Sequence, residues 1–189
     1  MAGISISIDL VQDEARASLR ALLDRMDNRL PFFNAVGERM LASTKDRFQT
    51  ETAPDGTPWA PLSRSRIKQR EAAKLTPIRI LRARGYLAGS INYQATADEV
   101  AIGSPVESAA AHQLGAAIQQ SARPAKIYRK RGADGSVGRR FVRKSEADVV
   151  TDVTMPARTI NLPARPFLGL TAADEIGILE DAEHWLLGQ

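Results

Sequence analysis

The chain has 189 residues, 43% of them apolar and 5% aromatic, which suffices for one globular domain, or a core with a sizeable insertion, built on few aromatic anchors. It holds no cysteine, so disulfides, thiolate catalysis and cysteine zinc sites are excluded. No apolar run approaches the roughly 18 residues of a membrane helix, so no membrane partner is expected. The net charge of +4 is segregated: residues 64–84 and 123–144 together carry 17 of the 26 Lys/Arg and only 2 of the 22 Asp/Glu. Such blocks point to surfaces that meet a polyanion or an acidic partner.

In chain order, residues 3–10 (GISISIDL) alternate apolar and polar with period two, and Ile4, Ile6 and Ile8 predict a half-buried strand. The same N-terminus has no basic start and no long apolar stretch, unlike a secretory signal, so a chain made in the cytoplasm that stays soluble until it assembles is expected. From about Val11 the period changes. Ala15, Leu19, Leu22, Leu23, Met26 and Leu30 recur at helical steps until Pro31 breaks or restarts the helix. A second helix follows with the stripe Phe32, Val36, Met40, Thr44 and Phe48 and the polar residues Glu38, Arg39, Lys45 and Asp46. Two such helices cannot bury their stripes alone and must cover a sheet or a neighbouring subunit.

Residues 50–63 are rich in proline and turn formers around Asp55-Gly56. A basic segment interrupted at Thr76-Pro77 leads to a short helix and a strand near 80–94, a turn at Asp98-Glu99, a returning strand over 100–104, and a short helix from Ser108 ended by Gly115. Residues 116–160 differ in character: two basic flanks with β-branched and aromatic residues surround a glycine-rich tip at Asp134-Gly135, which predicts an exposed two-stranded arm. Isolated hairpins are marginal, so the arm is expected to be ordered by a partner or by nucleic acid. Finally Pro163–Leu170 reads as extended, and Thr171-x-x-Asp174 opens a last helix with acids in its first turn. The fold class is α+β: a small antiparallel sheet packed by N-terminal helices and a C-terminal helix, one domain over 1–189 with 116–160 a basic β-hairpin arm or insertion.

Little in the chain suggests chemistry. Its two histidines, His112 and His184, form no ligand pair, and no nucleophile motif or phosphate loop is present. Gly132, Gly135 and Gly138 lack the strand-to-helix context of a phosphate cradle and read as a hairpin tip. Asp174, Glu175, Glu180, Asp181 and Glu183 read as a solvated or partner-facing helix surface. No catalytic, cofactor-binding or metal-binding residue is assigned. The basic arm, with Arg129, Lys130, Arg131, Arg139, Arg140, Arg143 and Lys144 and the interleaved Tyr128 and Phe141, leaves three readings open. It meets DNA phosphates, which would make binding strongly salt-dependent; it docks on an acidic protein; or it is a solvated charge run.

Four stretches taken together are similar to the virion morphogenesis, or tail completion, family of Mu-like phages. They are Asp55–Leu62 (DGTPWAPL), Ile80–Ile91 (ILRARGYLAGSI) with Val100–Ser104, Ala111–Gly115 (AHQLG) and Pro163–Leu170 (PARPFLGL). Arg84 departs from the pattern, which has a small hydroxyl residue before the glycine. The resemblance implies a non-enzymatic structural protein at the head–tail junction, made in the host cytoplasm and present in the virion. It would join or complete the tail as a homo-oligomeric ring, a hexamer by analogy with the tail tube. Its partners would be neck and tail proteins, with packaged DNA a further candidate. The alternative is a non-specific DNA-binding protein or a transient assembly factor absent from the mature particle. Trp59 would anchor the proline-rich loop to the core or serve an interface, and Arg165 and Phe167 would fix an extended docking segment.

Overall fold

A computed structural model of the chain describes residues 13–188. The strand expected over 3–10 lies outside the described residues. The described chain divides into two compact units: one runs to Leu114 and resumes at Ala164, and the other is Gly115–Pro163. The architecture is α+β, with six helices and small antiparallel sheets among the described residues.

The first unit, the body, is organised by one long helix. Helix α1 (Asp13–Asp27) precedes α2 (Leu30–Thr50), and Pro31 sits in the first turn of α2, where its missing N–H costs nothing. Val36, Met40, Thr44 and Phe48 are buried along α2, four residues apart, as a helix with one core face requires. That face covers the hairpin β1 (Asn92–Ala95) and β2 (Val100–Gly103), paired antiparallel from Asn92↔Gly103 to Ala95↔Val100. Contact is close because position 37 is glycine: the Tyr93 ring lies where a Cβ would be. Helix α3 (Arg64–Ala72) is capped by the Ser63 hydroxyl, and the short α4 (Tyr86–Gly89) and α5 (Ala109–Leu114) complete this part. The core proper is Phe48, Ala53, Trp59, Leu87, Ile91 and Phe167. Phe48 meets Trp59 edge-on, with centroids 5.5 Å apart, and Phe167 at 5.2 Å.

Helix α6 (Ala172–Leu187) closes the body. Its start is a complete capping box: the Thr171 hydroxyl accepts from the Asp174 N–H while the Asp174 carboxylate accepts from the Thr171 N–H. It packs on α2 through polar groups and through Trp185, whose ring lies 5.6 Å from that of Phe32. Asp174 and Gly177 are its buried residues, and the absence of a side chain at Gly177 leaves room for the Arg39 guanidinium.

The second unit, the β-unit, contains β3 (Ala116–Gln120), β4 (Arg123–Arg131), β5 (Val137–Phe141), a 3₁₀ turn at Lys144–Glu146, β6 (Val149–Met155) and β7 (Arg158–Leu162). The hairpin expected around Asp134-Gly135 is β4–β5. The residues beyond it, to which the sequence reading gave no element, return as β6 and β7. The β3–β7 and β4–β6 pairings keep one register, from Ala116↔Leu162 to Arg129↔Val149, across an interruption at Ser121-Ala122 and Pro156-Ala157. They are one ribbon whose strands, at roughly 3.3 Å per residue, have a contour of about 45 Å. Pro124 is tolerated within β4 because β5 pairs only with the far end of that strand, at Arg129 and Arg131. None of the described residues of this unit is buried.

Phe167 is fully buried in a six-residue core, so Phe167→Ala should destabilise the body by about 3–5 kcal/mol. Denaturant unfolding followed by Trp fluorescence measures this, and a loss below about 1 kcal/mol would show that the aromatic cluster does not hold the body together.

Candidate functional site

Two features stand out from the fold: a segment clamped by side chains, and a cationic β-unit. The clamped segment is Arg165–Leu168. It belongs to no sheet, yet Arg165 and Phe167 are buried, so its backbone polar groups need other partners. The Arg165 N–H donates to the His112 carbonyl at 2.7 Å. The Pro166 carbonyl accepts from Trp59 Nε1 at 2.7 Å. The Gln113 carboxamide acts as a substitute strand: its Oε1 accepts from the N–H groups of Phe167 and Leu168, at 2.9 and 3.0 Å, and its Nε2 donates to the Leu168 carbonyl at 2.9 Å. The Phe167 carbonyl accepts from Arg47 Nη1 at 3.0 Å. The Arg165 guanidinium reaches back to the Ala60 and Pro61 carbonyls at 2.8 and 3.1 Å.

Arg47 also carries the buried ion pair of the body. Its Nη2 donates to Asp174 Oδ2 at 2.8 Å and to the Ser43 hydroxyl at 2.9 Å, and the two charged side chains are only 5% and 7% exposed. Burial alone would raise the Asp174 carboxyl. Hydrogen bonds from Thr171 and Ser43, with the Arg47 charge, outweigh it and hold the group below its usual value. Burial pulls Arg47 down despite Asp174, but a guanidinium stays charged at any physiological pH. Nearer the C-terminus of α6, Asp181 forms a two-pronged pair with Arg39, both contacts at 2.7 Å. His112 is partly buried, and burial, then the Arg165 charge, favours its neutral form. Its Nδ1 has no hydrogen-bond partner among the described residues.

The carboxylates expected to form one solvated helix surface are therefore of two kinds. Asp174 and Asp181 face inward and are paired; Glu175, Glu180 and Glu183 are exposed. Trp59, Arg165 and Phe167 are brought together in the clamp. Arg47 and Gln113 were not singled out as functional in the sequence, because their partners lie 127 and about 54 residues away. Among the described residues, no group of three His, Asp or Glu is placed to hold a metal ion.

The seven cationic residues read from the sequence fall at one end of the β-unit. Arg129, Lys130 and Arg131 end β4, Arg139 and Arg140 lie in β5, and Arg143 and Lys144 enter the 3₁₀ turn. Among the described residues, none of the seven has a carboxylate within ion-pair reach. Of the nearby acids, Asp134 is engaged with Ser136 in the tip, and Asp148 accepts the Arg131 backbone N–H. Arg129 lies over the Phe141 ring, 5.6 Å from its centre, a cation–π contact that leaves Phe141 65% exposed. The β-unit as a whole has ten Lys/Arg and four Asp/Glu, a surplus larger than that of the entire chain.

The model of the phage virion morphogenesis family matches residues 10–187. The chain belongs to that family. This makes it a structural or assembly protein of a bacteriophage. No curated protein and no solved structure matches it. The four stretches that carry the resemblance converge in space. Trp59 of DGTPWAPL, Leu87 and Ile91 of ILRARGYLAGSI and Phe167 of PARPFLGL share the core, while His112 and Gln113 of AHQLG grip the last of these. What marks this virion morphogenesis protein is thus an interlocked packing unit rather than a catalytic constellation.

The depressed Asp174 carboxyl and the neutral-favouring His112 give acid sensitivity in two ranges. His112 contributes stability that is complete above its unfolded value of 6.5 and falls away below it; Asp174 contributes stability that is complete above 3.8 and is lost as pH falls through its lower folded value. Melting temperatures between pH 2 and 8 should decline in both ranges. Asp174→Asn should lower the plateau and flatten only the acid range. An unchanged profile would mean that the Arg47–Asp174 pair does not set acid stability.

Proposed function

We propose that this virion morphogenesis protein is a structural component of the head–tail junction that completes or joins the tail by assembling into a ring, with its cationic β-unit docking on acidic protein surfaces. One observation carries the reading: a 49-residue β-unit without a single buried residue among those described, and with unpaired arginines gathered at one end. A unit of this kind cannot bury enough apolar surface to be firm by itself. Its exposed Val137, Phe141, Val150 and Met155 and its uncompensated charge find their complement in a partner. The body, by contrast, is locked by the aromatic core and the clamp, and is suited to bear load. The head–tail location and the ring are implied by the family resemblance of the four motif stretches.

A second reading shares the same residues. Phe141 exposed among arginines is also a platform on which a nucleotide base can stack, with phosphates bound around it, so packaged or free DNA is the alternative partner. Such binding would fall steeply with salt.

Replacing Arg129, Lys130, Arg131, Arg139 and Arg140 with Ala should leave the melting temperature nearly unchanged, since none of them is ion-paired among the described residues. It should reduce infectious particles at least a hundredfold in a complementation assay. Electron microscopy of wild-type particles should show the chain as a ring between head and tail. Normal titres from the variant would overturn the docking role. A chain absent from purified virions would leave a transient assembly factor, and salt-sensitive binding of DNA by the purified protein would favour the DNA reading.

A further inference from the structure

Helix α6 leaves much of its apolar surface facing away from its own core. Its inward side carries Asp174, Gly177 and Asp181, held to α2 by Arg47 and Arg39, together with the half-buried Ile178 and Trp185, the latter on Phe32 at 5.6 Å. Its outward side carries Ile176, Leu179, Leu186 and Leu187, exposed by 59%, 66%, 39% and 67%. These four share a face with Ala172 and Glu183, at the three- and four-residue steps of a helix. The stripe is bordered by the exposed acids Glu175 and Glu180. Helix α6 has five acids and no lysine or arginine, and after the two inward pairs its uncompensated charge is on the outward side. A three-turn apolar stripe left in water beside acids is an interaction surface rather than a folding surface.

The cationic end of the β-unit has the complementary chemistry. Phe141 lies across from Arg129 and Val137 across from Arg131, and both apolar residues are exposed, by 65% and 45%. Arg139, Arg140, Arg143 and Lys144 surround them in sequence. One surface is apolar with an acidic border; the other is apolar with a basic border, and neither has an ion-pair partner for these charges among the described residues. We infer that the outward face of α6 receives the cationic end of the β-unit of a second copy of this chain. The contact is heterologous, one patch of each kind on every subunit, and contacts of that type propagate into rings or filaments. Opposite charge on the rims would set orientation and speed encounter, while Phe141 and Val137 against Ile176 and Leu179 would supply the apolar core of the contact. The inference rests on the assembly role proposed above and gives it its own subunit contact.

The absence of cysteine makes the test direct. Two full-length single variants, Leu179→Cys and Phe141→Cys, are purified and mixed under mild oxidation. The expected result is a disulfide-linked dimer in the mixture, at least tenfold above the amount formed by either variant alone. Adding Glu175→Lys, Glu180→Lys and Glu183→Lys to the first variant should abolish the product. Adding Arg139→Glu, Arg140→Glu and Arg143→Glu to the second should restore it when the two charge-reversed proteins are mixed. No mixed dimer from proteins with wild-type melting temperatures would overturn the inference. So would a Leu179→Cys protein that links to itself as readily, because the helix face would then meet its own copy. Mass spectrometry of purified particles separates the two proposals. A chain present in virions without the mixed link defeats this contact alone, and a mixed link in a chain absent from virions defeats the virion role alone.

Discussion

The body depends on how four residues without a strand partner are satisfied. Arg165–Leu168 must run through the interior to place Phe167 in the core, and a buried backbone N–H or C=O left unpaired costs about 1–3 kcal/mol each. Six of its backbone groups find partners, and all but one of these partners are side chains: Trp59, Gln113 and Arg47, drawn from a loop, a short helix and the long helix. Gln113 alone satisfies three. Removing Gln113 therefore leaves three unmet groups, and removing Trp59 or Arg47 leaves one each, so the segment is satisfied only when all three are in place. The prolines at 163 and 166 lessen the demand by bringing no N–H of their own.

The Arg47–Asp174 pair ties this clamp to α6. A buried ion pair is rarely more stabilising than a well-packed apolar pair of the same volume, because both charges must be stripped of water. Here the pair does something an apolar contact would not. Asp174 is at once the capping residue of α6, the acceptor of the Thr171 N–H and the partner of Arg47, which itself holds the Phe167 carbonyl. The rotation of α6 about its axis is thereby specified by polar geometry together with Trp185 on Phe32, and Ile176 and Leu179 are released from core duty. That is why Ile176 and Leu179 can face outward without the helix turning to bury them.

Much of the body was legible because its signals are local. The stripe of Val36, Met40, Thr44 and Phe48 has helical spacing, and Thr171 with Asp174 spells a capping box; both form as read. The strands around Asp98-Glu99 and the short helix ended by Gly115 followed from turn residues. What periodicity could not tell was which way a stripe faces. Leu19, Leu23 and Met26 make α1 recognisably a helix, yet they are exposed, by 52%, 61% and 53%, because α1 meets α6 elsewhere on its surface. The inward carboxylates of α6 were hidden for the same reason: Asp174 and Glu175 are neighbours in sequence and differ only in a rotation fixed by arginines more than a hundred residues away. In the β-unit, β6 and β7 escaped notice because Asp152 and Pro156 interrupt the β-branched run and no face is buried to impose alternation.

The single register of the ribbon has a physical consequence. In a sheet with a buried face, a slip of one residue would turn the core side out, and burial would forbid it. The β-unit has no buried face among the described residues, so pairing alone holds β3–β4 against β6–β7. Its register must be set at the ends. At one end, Asp148 locks onto β4: its N–H donates to the Arg129 carbonyl at 3.1 Å and its carboxylate accepts from the Arg131 N–H at 3.2 Å. At the other, the chain leaves the body after Leu114 and returns at Ala164, between residues that are themselves joined by the His112–Arg165 hydrogen bond. The clamp thus has two tasks with one cause. It satisfies the buried segment, and it brings together the two chain ends from which the ribbon starts, so that an element too thin to make a core begins in register.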